Sequence, residues 1–167
     1  MATSYRYYKE DIKEYLESNF SRDSSILDVG CGEGTYYELL KDYFKDIEGV
    51  EVYMPNIKKY RLEDKYRTVY NTDIRDFRYK YYDIIIFGDI LEHLEVEEAK
   101  KVLDYAIDRS KEVIVAVPYR YEQGIEYGNV YEIHKQGDLT KENMLERYPR
   151  LELLLGNEEY GYYIKRK

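Results

Sequence analysis

Tryptophan is absent from this 167-residue chain, cysteine occurs once, histidine twice and proline three times. The lone cysteine, Cys31, excludes a disulfide within the chain. No apolar run is long enough to cross a bilayer, and the first residues lack the charged, apolar and small-residue order of a signal peptide. The expectation is a soluble, cytoplasmic protein with no membrane partner. Clustered cations are scarce too. Against 34 Asp and Glu stand 26 Lys and Arg, a formal charge of -8, and the only dense basic run is Lys165-Arg166-Lys167. Neutralising a phosphate backbone needs such clusters, so a nucleic-acid partner is disfavoured, although net charge by itself does not exclude a local patch.

What the chain does have is 44% hydrophobic residues, enough to fill one core, over a length that suits a single domain spanning 1–167. Tyrosine is abundant, 23 residues against four phenylalanines. The expected use of so many tyrosines is at half-buried positions, where the hydroxyl still reaches water. No repeat, low-complexity tract or linker interrupts the sequence.

Periodicity predicts an amphipathic helix over 5–20, with Tyr8, Ile12, Tyr15, Leu16 and Phe20 on one stripe. A strand over 26–29 follows, then a glycine turn, then a helix carrying Tyr36, Leu39, Leu40, Tyr43 and Phe44. Further strands are expected over 47–52, 67–70, 82–87 and 112–117, and short helices near 56–62 and over 95–109. The run from Tyr82 to Phe87 is almost wholly apolar, as in a parallel strand covered on both faces. The segment 118–138 has no clear period; a connection of that length in a compact domain is usually functional or mobile. A helix over 140–148 and a hairpin of two strands, 151–155 and 160–164, close the chain. Alternating strands and helices argue an α/β, doubly wound, mostly parallel sheet.

The organising stretch is Ile26-Leu27-Asp28-Val29-Gly30-Cys31-Gly32-Glu33-Gly34. Glycines there free the backbone for positive φ or for close contact with a ligand, and a helix start adds free N–H groups suited to a carboxylate or phosphate. A dinucleotide fingerprint wants G-x-G-x-x-G; here Thr35 holds the third position and the glycine comes early, at Gly34. A Walker loop wants Gly-Lys-Ser/Thr, which is missing. The acid-x-Gly-x-Gly-x-Gly order of Asp28, Gly30, Gly32 and Gly34 resembles motif I of the class I S-adenosylmethionine-dependent methyltransferases. The closing hairpin extends the likeness over nearly the whole chain, as a small stand-alone member. It implies a seven-stranded sheet of order 3-2-1-4-5-7-6, helices on both faces, an antiparallel last strand, and S-adenosyl-L-methionine as cofactor.

Ligands of such sheets lie beyond the carboxyl ends of the strands. Glu51, at the end of the second strand, is placed to accept both hydroxyls of a ribose, since a carboxylate is a bidentate acceptor; the competing reading is a solvated strand-end acid. The resemblance implies that Asp73 receives the adenine amino group with Ile74 beside the ring. Asn71-Thr72-Asp73 is also an ordinary turn sequence. It further implies that Asp28 orients the methionine amine, that Cys31 lies with the glycines against the cofactor, that Phe87 and Gly88 line the methionine tail, and that Val52 and Tyr53 pack on adenine.

Methyl transfer needs alignment and exclusion of water, and an oxygen or nitrogen acceptor must also lose a proton. His134 is the preferred base, because Tyr127, Asn129, Tyr131 and Glu132 share its segment and would meet the acceptor; His93 is the second candidate. Residues 1–24 are expected to supply a lid and 118–138 an acceptor loop, around a small hydroxylated or amine metabolite or a sugar. Asp89, Glu92 and His93 form an Asp-x-x-Glu-His cluster. Some quinone-pathway methyltransferases with Glu-x-x-Glu-His bind a divalent cation, but this chain departs from that pattern at Asp89, and no metal is expected. Aminopropyl transfer, using Glu122, Glu126 and Glu132 as a polyamine pocket, and non-catalytic cofactor binding are the alternatives.

Overall fold

The structure, a computed structural model, describes residues 5–78 and 80–166. The first four residues of the expected lid and the last residue of the basic run lie outside the described residues. Seven strands form one sheet: β1 (Ser25–Val29), β2 (Asp46–Val50), β3 (Val69–Tyr70), β4 (Tyr82–Gly88), β5 (Ser110–Pro118), β6 (Leu151–Gly156) and β7 (Tyr160–Lys165). Their order is β3-β2-β1-β4-β5-β7-β6, with β7 antiparallel to both neighbours and the other pairs parallel, as the resemblance implied.

Alternation along the central strands splits the core in two. Leu27, Val29, Ile85, Phe87, Val113 and Val115 pack on one face against α4 (Val96–Asp108) and α5 (Lys141–Arg147). Ile26, Ile84, Ile86, Ile114 and Ala116 pack on the other against α1 (Lys9–Asn19), α2 (Thr35–Leu40) and α3 (Met54–Lys59). Helix α4 buries Ala99, Val102, Leu103, Ala106 and Ile107 and starts on a capping box between Glu95 and Glu98.

Three elements differ from expectation. The helix near 56–62 starts earlier, at Met54, because Pro55 suits a first turn, and Leu62 instead opens a 3-10 turn. Helix α2 ends at Leu40, so Tyr43 and Phe44 follow it in a turn, though Phe44 is still buried. The third strand shrinks to two residues at the sheet edge.

The tyrosines differ most. Tyr82, Tyr148, Tyr160, Tyr162 and Tyr163 are fully buried, and each hydroxyl has a partner: Glu48, Gln136, Asp89, Tyr36 and Tyr119 respectively. These rings fill the core while their hydroxyls find partners inside it, where an unpaired one would cost about 1–3 kcal/mol. Among the described residues no helix is long and apolar enough to cross a membrane.

Strand order reverses between β2 and β4, on either side of β1. A cleft of about 680 Å³ opens there, at the carboxyl ends of β1, β2 and β4.

Candidate active site

One end of the cleft is built around the turn after β1. Gly30, Gly32 and Gly34 hold φ of 64°, 51° and 89°. A Cβ on Gly30 would lie 2.0 Å from Ile90, which presses on the loop from the turn after β4. The loop amides are largely committed inside the protein. Gly30 and Cys31 donate to the Val50 carbonyl, Gly34 to the Cys31 carbonyl, and Gly32 to Glu51 Oε2 at 2.8 Å. The loop therefore offers bare backbone more than free N–H donors.

Glu51 is buried against the cleft and also accepts from Tyr53 N at 2.8 Å on Oε1. One lone pair on each oxygen is so spent, and a carboxylate has about two per oxygen, which leaves acceptor capacity for a diol. Burial raises its pKa, while the amides and the Asn56 side chain oppose the rise. Asn71 Nδ2 donates to the Glu51 and Val52 carbonyls and fixes the strand end. Asp28, 1% exposed, accepts from Tyr66 Oη at 2.5 Å. Burial pushes its pKa up to about 7 despite that bond and the Lys9 charge. These buried acceptors and the bare loop suit the ammonium and ribose of the adenosyl cofactor.

Asp73, Ile74 and Val52 line the same end. Asp73 accepts from Arg75 N, Nε and Nη2 at 2.9, 2.9 and 2.6 Å, and the first of these closes a side-chain turn. The turn role is thus present, and one acceptor site on Oδ2 remains for adenine. Gly88 lines the cleft, and a Cβ there would lie 2.1 Å from Tyr36 Cε2. Phe87 needs correcting: the alternation of β4 turns it away from the cleft into the α4 face of the core, fully buried.

The other end joins two segments distant in sequence. After β4, Asp89 takes φ of 58° and accepts from Tyr160 Oη at 2.7 Å; a 3-10 turn, Leu91–His93, follows. Residues 119–139 lie against this turn. Lys135 N and Gln136 N donate to the Glu92 carbonyl at 2.8 and 3.0 Å. The buried Gln136 side chain donates to the Leu91 and Leu94 carbonyls and accepts from Tyr148 Oη. This staple sets His93 and His134 edge to face, with ring centroids 4.7 Å apart.

Each imidazole Nδ1 meets a carbonyl, that of Ile133 for His93 at 3.3 Å and that of Tyr121 for His134 at 2.6 Å. A carbonyl only accepts, so Nδ1 is the donor and Nε2 keeps its lone pair. Burial lowers both pKa values, that of His93 to about 4. Glu92 beside them is 1% exposed, with its pKa raised by burial and by the Asp89 charge.

Asn129, Tyr131 and Glu132 line this end; Tyr127 does not, projecting into solvent at 83% exposure. Of the acids considered for a polyamine, only Glu132 reaches the main cleft. From the expected lid, Tyr5 lines the cleft and packs on Tyr160 and Tyr121, whereas α1 buries Ile12 and Leu16 in the core. Sequence reasoning missed Lys9, Asn56, Tyr66, Gln136 and Tyr160. Lys9 Nζ donates to Tyr36 and Tyr162, both at 2.9 Å, and burial lowers its pKa to about 8. None of the five stands in a motif; each reaches the site across another element.

Comparison with known proteins agrees with this geometry. Residues 1–117 match the profile of a family described as a methyltransferase domain. A 68-residue stretch is 35% identical to the dTDP-3-amino-3,4,6-trideoxy-alpha-D-glucopyranose N,N-dimethyltransferase of Streptomyces venezuelae, covering 41% of this chain and 29% of that enzyme. Among solved structures, an S-adenosylmethionine-dependent methyltransferase from Clostridium acetobutylicum superposes with a TM-score of 0.70 at 15% identity, over 98% of this chain and 92% of the other. Magnesium protoporphyrin IX methyltransferase from Synechocystis, solved with the cofactor bound, gives 0.66 at 12% identity, over 95% and 78%. The profile match spans the sheet from β1 into β5 together with the glycine turn, and the chain accordingly belongs to the methyltransferase domain family.

Proposed function

We propose that the chain transfers a methyl group to an oxygen or nitrogen of a small polar metabolite, sugar-like or amine-bearing. The observation carrying this reading is that a single cleft is lined both by Asp28 and Glu51 and by His93 and His134. Its volume falls in the range of pockets that enclose a drug-sized ligand, which suits a cofactor with a compact acceptor. The short match to a sugar N,N-dimethyltransferase points the same way.

In this scheme Asp28 takes the cofactor's ammonium, Glu51 its two ribose hydroxyls, and Val52, Asp73 and Ile74 its adenine. Gly30, Cys31, Gly32, Gly34 and Gly88 let the chain approach its amino-acid tail. When bound, the cofactor would supply a sulfonium methyl, which these residues would hold in line with an acceptor lone pair. Tyr5, Asn129, Tyr131 and Glu132 position the acceptor. The Nε2 lone pair of His134, or of His93, receives the acceptor proton, a role worth about 10²–10⁴ in rate.

The test is a screen of hydroxylated and amine metabolites with isotope-labelled cofactor, beside calorimetry with S-adenosylhomocysteine and NADH. Label should enter a small molecule, and S-adenosylhomocysteine should bind while NADH does not. Binding without transfer to any acceptor would leave a cofactor-sensing module instead.

A further inference from the structure

Methyl transfer from a sulfonium leaves the buried Glu92 side chain unused. Neither of its carboxylate oxygens has a hydrogen-bond partner, and the residue is 1% exposed. A buried carboxylate without partners is costly to desolvate, and a leucine would fill the same space without that cost. The group lies in the wall of the cleft, not in the packed core.

Two imidazoles stand beside it. Ligand atoms of Glu92, His93 and His134 all lie within 4.8 Å of one another, and His93 Nε2 is 4.0 Å from Glu92 Oε1. Donors sharing one ion sit roughly 3–3.5 Å apart when each bond is about 2.0–2.2 Å, so about an ångström of side-chain rotation closes the set. The carbonyls of Ile133 and Tyr121 on the two Nδ1 atoms fix the tautomer and ring orientation, the support that ligating histidines generally receive.

We propose that Glu92, His93 and His134 bind a divalent transition cation at the acceptor end of the cleft. Sequence adjacency had grouped Asp89 with Glu92 and His93 and led to an expectation of no metal. In the fold Asp89 accepts the Tyr160 hydroxyl, and His134 arrives from the far segment to complete the trio. That exchange changes the chemistry. Two imidazoles and one carboxylate suit manganese, iron, cobalt or zinc, whereas an all-oxygen set would suit magnesium or calcium. The site's existence does not depend on methyl transfer, but its ligands are the Nε2 lone pairs offered above as the base. In the loaded site, therefore, the cation lowers the pKa of the acceptor hydroxyl and its proton passes to solvent. Only that consequence rests on the methyl-transfer reading, namely that the acceptor atom is a hydroxyl oxygen polarised by the cation.

The test uses the full chain, stripped with a chelator and titrated with cobalt(II) chloride without cofactor. Visible absorption bands should saturate at one equivalent. Glu92→Gln and His134→Gln should each weaken cobalt affinity by more than about tenfold, while S-adenosylhomocysteine affinity and far-ultraviolet circular dichroism stay at wild-type values to show an intact fold. Magnesium chloride in tenfold excess should fail to displace cobalt. No saturable uptake, equal affinity in both variants, or displacement by magnesium would each overturn the site. Failure here leaves methyl transfer untouched, whereas intact cobalt binding with no methyl transfer overturns only the function reading. Given an acceptor, loss of turnover on chelation and its return with manganese(II) support the hydroxyl assignment, and unchanged turnover overturns it.

Discussion

The two ends of the cleft are made in different ways. The cofactor end takes Asp28 through Gly34 from one strand end and its turn and adds the ends of the next strands; its loop is tied by hydrogen bonds from its amides to the Val50 carbonyl and the Glu51 carboxylate. The acceptor end has no such unit. It joins a 3-10 turn at 91–93 to residues 119–139, through Gln136 and pairs of carbonyls. The family match stops at residue 117, so it includes the first end and only half of the second. On the proposed function, cofactor binding would come with the sheet and the choice of acceptor with a segment that the sheet holds in place.

The sharpest way to break this division is His134→Gln. If the two ends are separate, turnover falls by about 10²-fold or more while S-adenosylhomocysteine affinity, read by calorimetry, stays within twofold. Glu51→Ala attacks the other end. It removes an acceptor from Gly32 N and Tyr53 N as well as from the ribose, and should weaken S-adenosylhomocysteine by about 100-fold, near 3 kcal/mol. Gly88→Ala puts a methyl group into the Tyr36 ring and should cost about 1–3 kcal/mol in urea unfolding.

A fourth prediction follows from Asp28, whose pKa is raised from 3.8 to about 7 by burial. A raised acid binds its proton more tightly folded than unfolded. Its contribution to stability therefore grows as pH falls from 7 toward 4 and is lost as pH rises through 7. Cofactor binding has the opposite sign, since the ionised carboxylate pairs with the ammonium. S-adenosylhomocysteine affinity should rise by up to about tenfold from pH 6 to pH 8, and Asp28→Asn should flatten both profiles. Smallest of all, Tyr127→Ala should change stability by less than about 0.5 kcal/mol and leave turnover alone, because that ring projects into solvent.

The legible parts of the fold were those fixed by local pattern. Tyr82 to Phe87 read as a buried strand from its apolar run, and 151–155 with 160–164 read as a hairpin from Gly156-Asn157. Glu51 was legible because position after a strand predicts the cleft, and it is buried there. Phe87 misled because a strand end presents alternate residues to opposite faces, and one step of register sends a side chain to the core. Asp73 carried two readings, and its Arg75 bonds show that the turn is real. Tyrosine content was legible, its placement was not: nothing local tells which rings will be buried with a hydroxyl partner across the sheet.

The order of glycines and acid in 28–34, the alternation of strands with helices and the closing hairpin were enough to determine a doubly wound sheet of the methyltransferase kind, because each depends on neighbours in the chain. Only the tertiary structure decided that Tyr66 bonds Asp28, that Gln136 ties a long segment to a short turn, and that Glu92, His93 and His134 meet. Contacts between residues forty positions apart depend on how elements pack, and packing is a property of the whole core.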